Sequence, residues 1–147
     1  MLTVRENSFP ETVAKTTREG FMSASHFPVV RAMSVQAATA LARYERHVRK
    51  LAATWLDMEL YTVVSAEIDE IQRACAGLPE LSLPWTELLI SHAELIHALW
   101  RGGPAPDAGT VQEVEERLRD HLACIDTLAR RCLRLADRRS GGTVRRH

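Results

Sequence analysis

Apolar side chains recur at helical spacing along most of the chain, and their longest run lies between Arg31 and Ala76, where no Gly or Pro occurs. From Ala37 the apolar positions step by four and three through Leu41, Tyr44, Val48, Leu51, Trp55 and Met58. That is heptad spacing, which keeps one stripe turned toward a partner helix. A second run, Tyr61, Val64, Ile68, Ile71, Cys75 and Leu78, has the same spacing. Two successive steps of three across Met58, Tyr61 and Val64 shift the stripe's phase where the runs join. Without a breaker residue the stretch predicts one continuous helix, which at ~1.5 Å per residue would be roughly 65 to 70 Å long. The alternative is a break near Met58.

Beyond Ala76 the punctuation is plainer. Gly77 suits a left-handed C-cap and Pro79 cannot continue the helix. Ser82 is placed to cap the next helix with Pro84 in its first turn, and Gly102-Gly103-Pro104 ends it after Trp85, Leu88, His92, Leu95 and Leu99. Thr110-Val111-Gln112-Glu113 has capping-box spacing and opens a last helix to about Arg139. Its seam carries Val111, Val114, Leu118, His121, Ile125, Leu128, Cys132 and Leu135. Residues 1–28 hold one short helical candidate with an apolar face too thin to fold alone, and read as a flexible or docked N-terminal arm. Residues 29–139 form a single helical-bundle domain, and residues 140–147 a short, basic, disordered tail.

The fold class is therefore all-α: an elongated helical bundle of one long helix plus an antiparallel helical hairpin. The alternative is a compact up-down four-helix bundle. Short connections make successive helices antiparallel neighbours. A hairpin helix of about 25 Å covers only half of the long one. The seam of Leu41, Tyr44, Val48, Leu51, Trp55 and Met58 is then left for a second copy, and a homodimer through the first half of the long helix is expected.

With 46% apolar and 26% charged residues, the composition is that of an ordinary soluble domain and excludes disorder of the whole chain. Three cysteines, Cys75, Cys124 and Cys132, form no CxxC pair and read as reduced thiols. No apolar run approaches the ~18 residues of a membrane span, and the acidic N-terminal stretch lacks the pattern of a signal peptide, so a cytoplasmic protein is expected. Arginine outnumbers lysine seventeen to two, a bias that GC-rich coding produces and that points to a bacterial source.

Candidate chemistry is sparse. His121 and Asp126 share the HxxxxD spacing of the last helix of haemerythrin-like di-iron bundles, but the accompanying HxxxE and HxxxH are missing. His92 and His97 are five apart, about 140° around a helix, so no metal or cofactor site is expected. Pairing the hairpin about its loop brings His92 and His121 within about a turn of each other, a pair of seam histidines whose protonation would loosen the hairpin. Glu67, Asp69, Glu70 and Glu94 read as a solvated acidic face. No GxSxG, P-loop, Gly-rich dinucleotide turn or HExxH occurs, so no catalytic residue is assigned.

Charge is segmental although the net is zero. Residues 127–147 hold seven arginines, Arg130, Arg131, Arg134, Arg138, Arg139, Arg145 and Arg146, against Asp137. The expected function is a non-enzymatic helical protein-interaction or regulatory module that self-associates. The alternative is nucleic-acid or acidic-partner binding through those arginines.

Overall fold

In a computed structural model the chain folds into α1 (Leu2–Ala53), α2 (Met58–Cys75), α3 (Ser82–Gly102) and α4 (Ala108–Arg145), with a 3-10 turn at Pro79–Leu81. Backbone is described from Leu2 to Arg145 and side chains from Pro28 to Asp137. The side chains of the expected N-terminal arm before Pro28, and those of the expected tail, lie outside the described residues. The helices pack as an all-α bundle in which α1 lies against both α2 and α4, and α3 against α4. Contact between α2 and α3 is far sparser. Among the described residues no helix is long and apolar enough to cross a membrane.

The helix expected to be continuous from Arg31 to Ala76 is interrupted at Thr54–Asp57. Its end is a Schellman motif without glycine. Leu56 N–H donates to Leu51 C=O at 3.1 Å and Trp55 N–H to Ala52 C=O at 3.4 Å, the two bonds that satisfy the last carbonyls of a helix. Trp55 stands where Gly is usual, at φ 51°, and Leu56 follows at φ 71°. A left-handed conformation costs an L-residue with a Cβ about 1–2 kcal/mol. Asp57 then starts α2 at once, its side chain accepting from Leu60 N–H at 3.0 Å. The turn falls where the heptad phase shifts, because α1 and α2 bury their stripes against different neighbours.

That turn changes what covers the first seam. Leu41, Tyr44, Val48 and Leu51 are at most 1% exposed within the single chain. They form core with Val64, Ile71, Leu88, Leu95, Ile125 and Leu128, so the seam expected to await a second copy is filled by the chain's own helices. Trp55 is half-buried, and only Met58, 56% exposed, points outward.

Two glycines act through space rather than through conformation. Gly77 is not left-handed: α2 ends at Ala76 in the right-handed region, and a Cβ on Gly77 would come within 2.7 Å of the Met33 methyl. A Cβ on Gly102 would lie 2.6 Å from the Trp55 ring and 2.9 Å from the Thr110 methyl. Gly102 thus lets the α1–α2 turn sit against the α3–α4 connection, while Gly103, at φ 61°, reverses the chain. The start of α4 also differs from expectation. Asp107, not Thr110, is the cap, accepting from Thr110 N–H and from its hydroxyl at 2.8 Å each. Glu113 turns instead to Arg101.

These contacts predict different outcomes at the two glycines. Gly102→Ala should destabilise the protein by about 1–3 kcal/mol, since the Trp55 ring is held by the turn. Gly77→Ala should cost well under half of that, because the Met33 methyl can swing aside. Urea denaturation of both variants against the parent protein measures the difference.

Candidate functional site

Three helices bring their polar side chains to one point in the core. Tyr44 of α1 is fully buried, and its hydroxyl lies 2.6 Å from His92 Nδ1 of α3 and 2.5 Å from His121 Nε2 of α4. His121 is likewise fully buried, its Nδ1 2.6 Å from Ser91 Oγ, and Ser91 in turn donates to Leu88 C=O at 3.0 Å. The rings pack as closely as they bond: the Tyr44–His121 centroids are 5.6 Å apart edge to face, and those of His92 and His121 are 5.8 Å apart.

The Ser91 bond to a carbonyl sets the direction of the rest. A hydroxyl has one proton, so Ser91 Oγ accepts from His121 Nδ1–H, which leaves His121 Nε2 an acceptor. Tyr44 O–H donates to it, and Tyr44 Oη accepts from His92 Nδ1–H. Every proton in this chain has an acceptor while both histidines are neutral. A proton added to His121 Nε2 would face the Tyr44 hydroxyl donor to donor, whereas one added to His92 Nε2 would disturb no bond in the chain. Burial drives the pKa of His92 down to about 4, and burial together with the neighbouring His92 drives that of His121 down to about 3. Burial, and the nearby Glu67 charge, push the Tyr44 phenol well above its usual range.

Beside this cluster lies an acidic residue that sequence reasoning assigned to a solvated face. Glu67 is only 8% exposed, and its Oε2 accepts from His47 Nδ1 at 2.8 Å. Its Oε1 is the one buried side-chain polar atom among the described residues without a hydrogen-bond partner. Glu70 pairs with Arg43 at 2.6 Å, so two acids of α2 tie that helix to α1. Asp69 is exposed, and Glu94 lies 3.7 Å from Arg117. The position of Glu67 between two apolar core residues, Val64 and Ile71, at steps of three and four was the available signal for its burial. Ser91 carried the same signal, three residues after core Leu88 and four before core Leu95.

The structure separates other candidates. Asp126 is exposed and paired with Arg130 at 2.6 Å, away from buried His121. Among the described residues no three His, Cys, Asp or Glu side chains converge as a metal site would require. Cys75 and Cys132 are buried thiols, pushed by burial to about 11 and about 12, with Cys75 adding to the second. Arg131 and Arg134 line a groove with Leu81 and Leu135, but share it with Glu80 and Asp137. Arg138, Arg139, Arg145 and Arg146 lie outside the residues whose side chains are described.

As chemistry, the cluster holds protons in place. Its hydroxyls and imidazoles bond to one another and to the Leu88 carbonyl. Tyr44→Phe should therefore destabilise the bundle by about 2–4 kcal/mol, because it strands a donor and an acceptor in the core. Urea denaturation at pH 7.5 tests this. The pH dependence follows from linkage. Both histidines titrate lower in the folded than in the unfolded chain, so the unfolded chain binds more protons below pH 6.5. Stability is complete above that pH and should fall on acidification until about pH 4 to 3. Each unmatched proton contributes up to about 1.4 kcal/mol per pH unit, less for half-buried His92. The fall between pH 7.5 and 5.5 should be smaller in a His92→Gln, His121→Gln variant than in the parent, with Glu67, His47 and Tyr44 common to both. Compared with known proteins, the chain matches no family model, no curated protein and no solved structure.

Proposed function

We propose that this protein is a non-enzymatic helical interaction module of the cytoplasm, whose bundle presents a surface to other protein chains. The observation that carries this reading is an inversion of the usual layout of a catalytic domain. Its chemically capable side chains, Tyr44, Ser91, His92 and His121, bond to one another in the core. Meanwhile Met58, Leu83, Ile90 and Trp100 are each more than half exposed. Exposed large apolar and aromatic side chains are the groups that anchor protein interfaces, Trp above all. The reading through the Arg-rich segment draws less support. Arg130 is engaged by Asp126, and the groove of Arg131 and Arg134 contains acids that repel an anion.

A photo-cross-linking phenylalanine placed at Trp100 in living cells tests the reading. The expected result is one discrete protein adduct on irradiation. If positions 58, 83, 90 and 100 all fail to give a protein adduct, the interaction reading is overturned.

A further inference from the structure

The corner at Thr54–Asp57 joins a strained backbone to a sequence that suits an uninterrupted helix. Trp55 and Leu56, at φ 51° and 71°, are the only non-glycine residues with positive φ among those described. Since no Gly or Pro occurs from Arg31 to Ala76, nothing covalent bars the stretch from closing into one helix. The helical ladder already reaches Thr54, whose N–H donates to Lys50 C=O at 3.0 Å, and it resumes where Tyr61 N–H donates to Asp57 C=O at 2.8 Å. To straighten, the corner gives up the Leu56–Leu51 and Trp55–Ala52 bonds and the Asp57 cap on Leu60. In return the N–H groups of residues 55 to 60 meet the carbonyls four residues back, and both left-handed residues return to the right-handed region.

Within one chain this change is closed off. α2 is held along α1 by Arg43–Glu70 and His47–Glu67, and carrying it to the far end of a straight rod would break both pairs and uncover Val64 and Ile71. A second copy that opens its own corner supplies everything that is lost. We infer that two copies of this chain exchange α1, each straightened α1–α2 rod running from one bundle into the other. α1 of one copy then packs on α2 and α4 of its partner, as it does on its own α2 and α4 in the single chain. Arg43–Glu70, His47–Glu67 and the bonds of Tyr44 to His92 and His121 are made between chains instead of within one, so each polar cluster is completed by both copies. No new surface is needed, and the exchange closes on itself with two-fold symmetry. The single chain is favoured by dilution, since it loses no freedom of association, while the exchanged pair relieves two corners at once. A short connection under strain is the condition in which the two forms compete. This conclusion stands on the corner and is independent of the interaction reading above.

The test holds the full chain at about 500 µM just below its unfolding temperature, cools it, and separates the species by size with light scattering for mass. Leu56→Gly and Leu56→Ala are the paired variants. Both remove the same half-buried side chain, but Gly suits the left-handed corner and Ala suits the helix. The expected result is a dimer of twice 16.5 kDa with the far-UV circular dichroism of the monomer. It should survive dilution in the cold and return to monomer after passage through urea, because exchange requires α1 to leave its bundle. Its dissociation constant should be about tenfold or more lower for Leu56→Ala than for Leu56→Gly, since each dimer straightens two corners. Asp57→Ala, which deletes only the cap that the rod does without, should raise the dimer fraction above the parent's. The inference is overturned if the parent and Leu56→Ala both stay monomeric, if the dimer falls apart on dilution in the cold, or if its yield is indifferent to these substitutions.

Discussion

One hydroxyl fixes the level at which three helices meet. Tyr44 Oη has a single proton to give, and it lies within 2.6 Å of imidazoles on α3 and α4. A shift of any of these helices by one residue moves a donor or acceptor by ~1.5 Å along its axis and unmakes a buried bond. Apolar packing alone tolerates such slips far better, because one Leu or Val can take the place of another. The cost of an unpaired buried polar group, about 1–3 kcal/mol, is what gives the bundle one register rather than several. The pairs Arg43–Glu70 and His47–Glu67 do the same for α2, and from α1, which is thereby the helix to which α2 and the C-terminal hairpin are both registered.

The class of the fold and most of the core were legible in the sequence for a simple reason: both follow from apolar periodicity. The heptad residues Leu41, Val48, Leu51, Ile71, Leu88 and Ile125 are buried in the structure. What sequence could not supply was the identity of their neighbours. The same stripe serves a second chain or a second helix equally well, and the choice between them hung on four residues, Thr54 to Asp57. Helix stops are recognised by Gly or Pro, and this one has Trp55 and Leu56 instead, its bonds made by the backbone alone. The phase shift across Met58 and the Asp57 cap were the two marks that a reader could see.

The polar cluster was half legible. Hairpin pairing brings His92 and His121 to one level, but they are joined through Tyr44, whose place in an apolar stripe conceals its hydroxyl. Glu67 shows the same limit from the other side. Its neighbours Asp69 and Glu70 made it look like part of an acidic surface, whereas its position on the buried stripe outweighs its charge once His47 is there to meet it.

The turn at Trp55 and Leu56 also says something about order in time. A left-handed pair of bulky residues is unfavourable by itself, and apart from the Asp57 cap and the phase shift across Met58 nothing in the 46 residues from Arg31 to Ala76 opposes a straight helix. Leaving the ribosome, that stretch precedes the segments that hold the bend closed: Gly102 and Thr110, on which the Trp55 ring rests, are made more than 45 residues later. Until that hairpin is made, the corner has only its own backbone bonds and the Asp57 cap to hold it, and the packing that fixes the Trp55 ring is contributed by the far end of the chain.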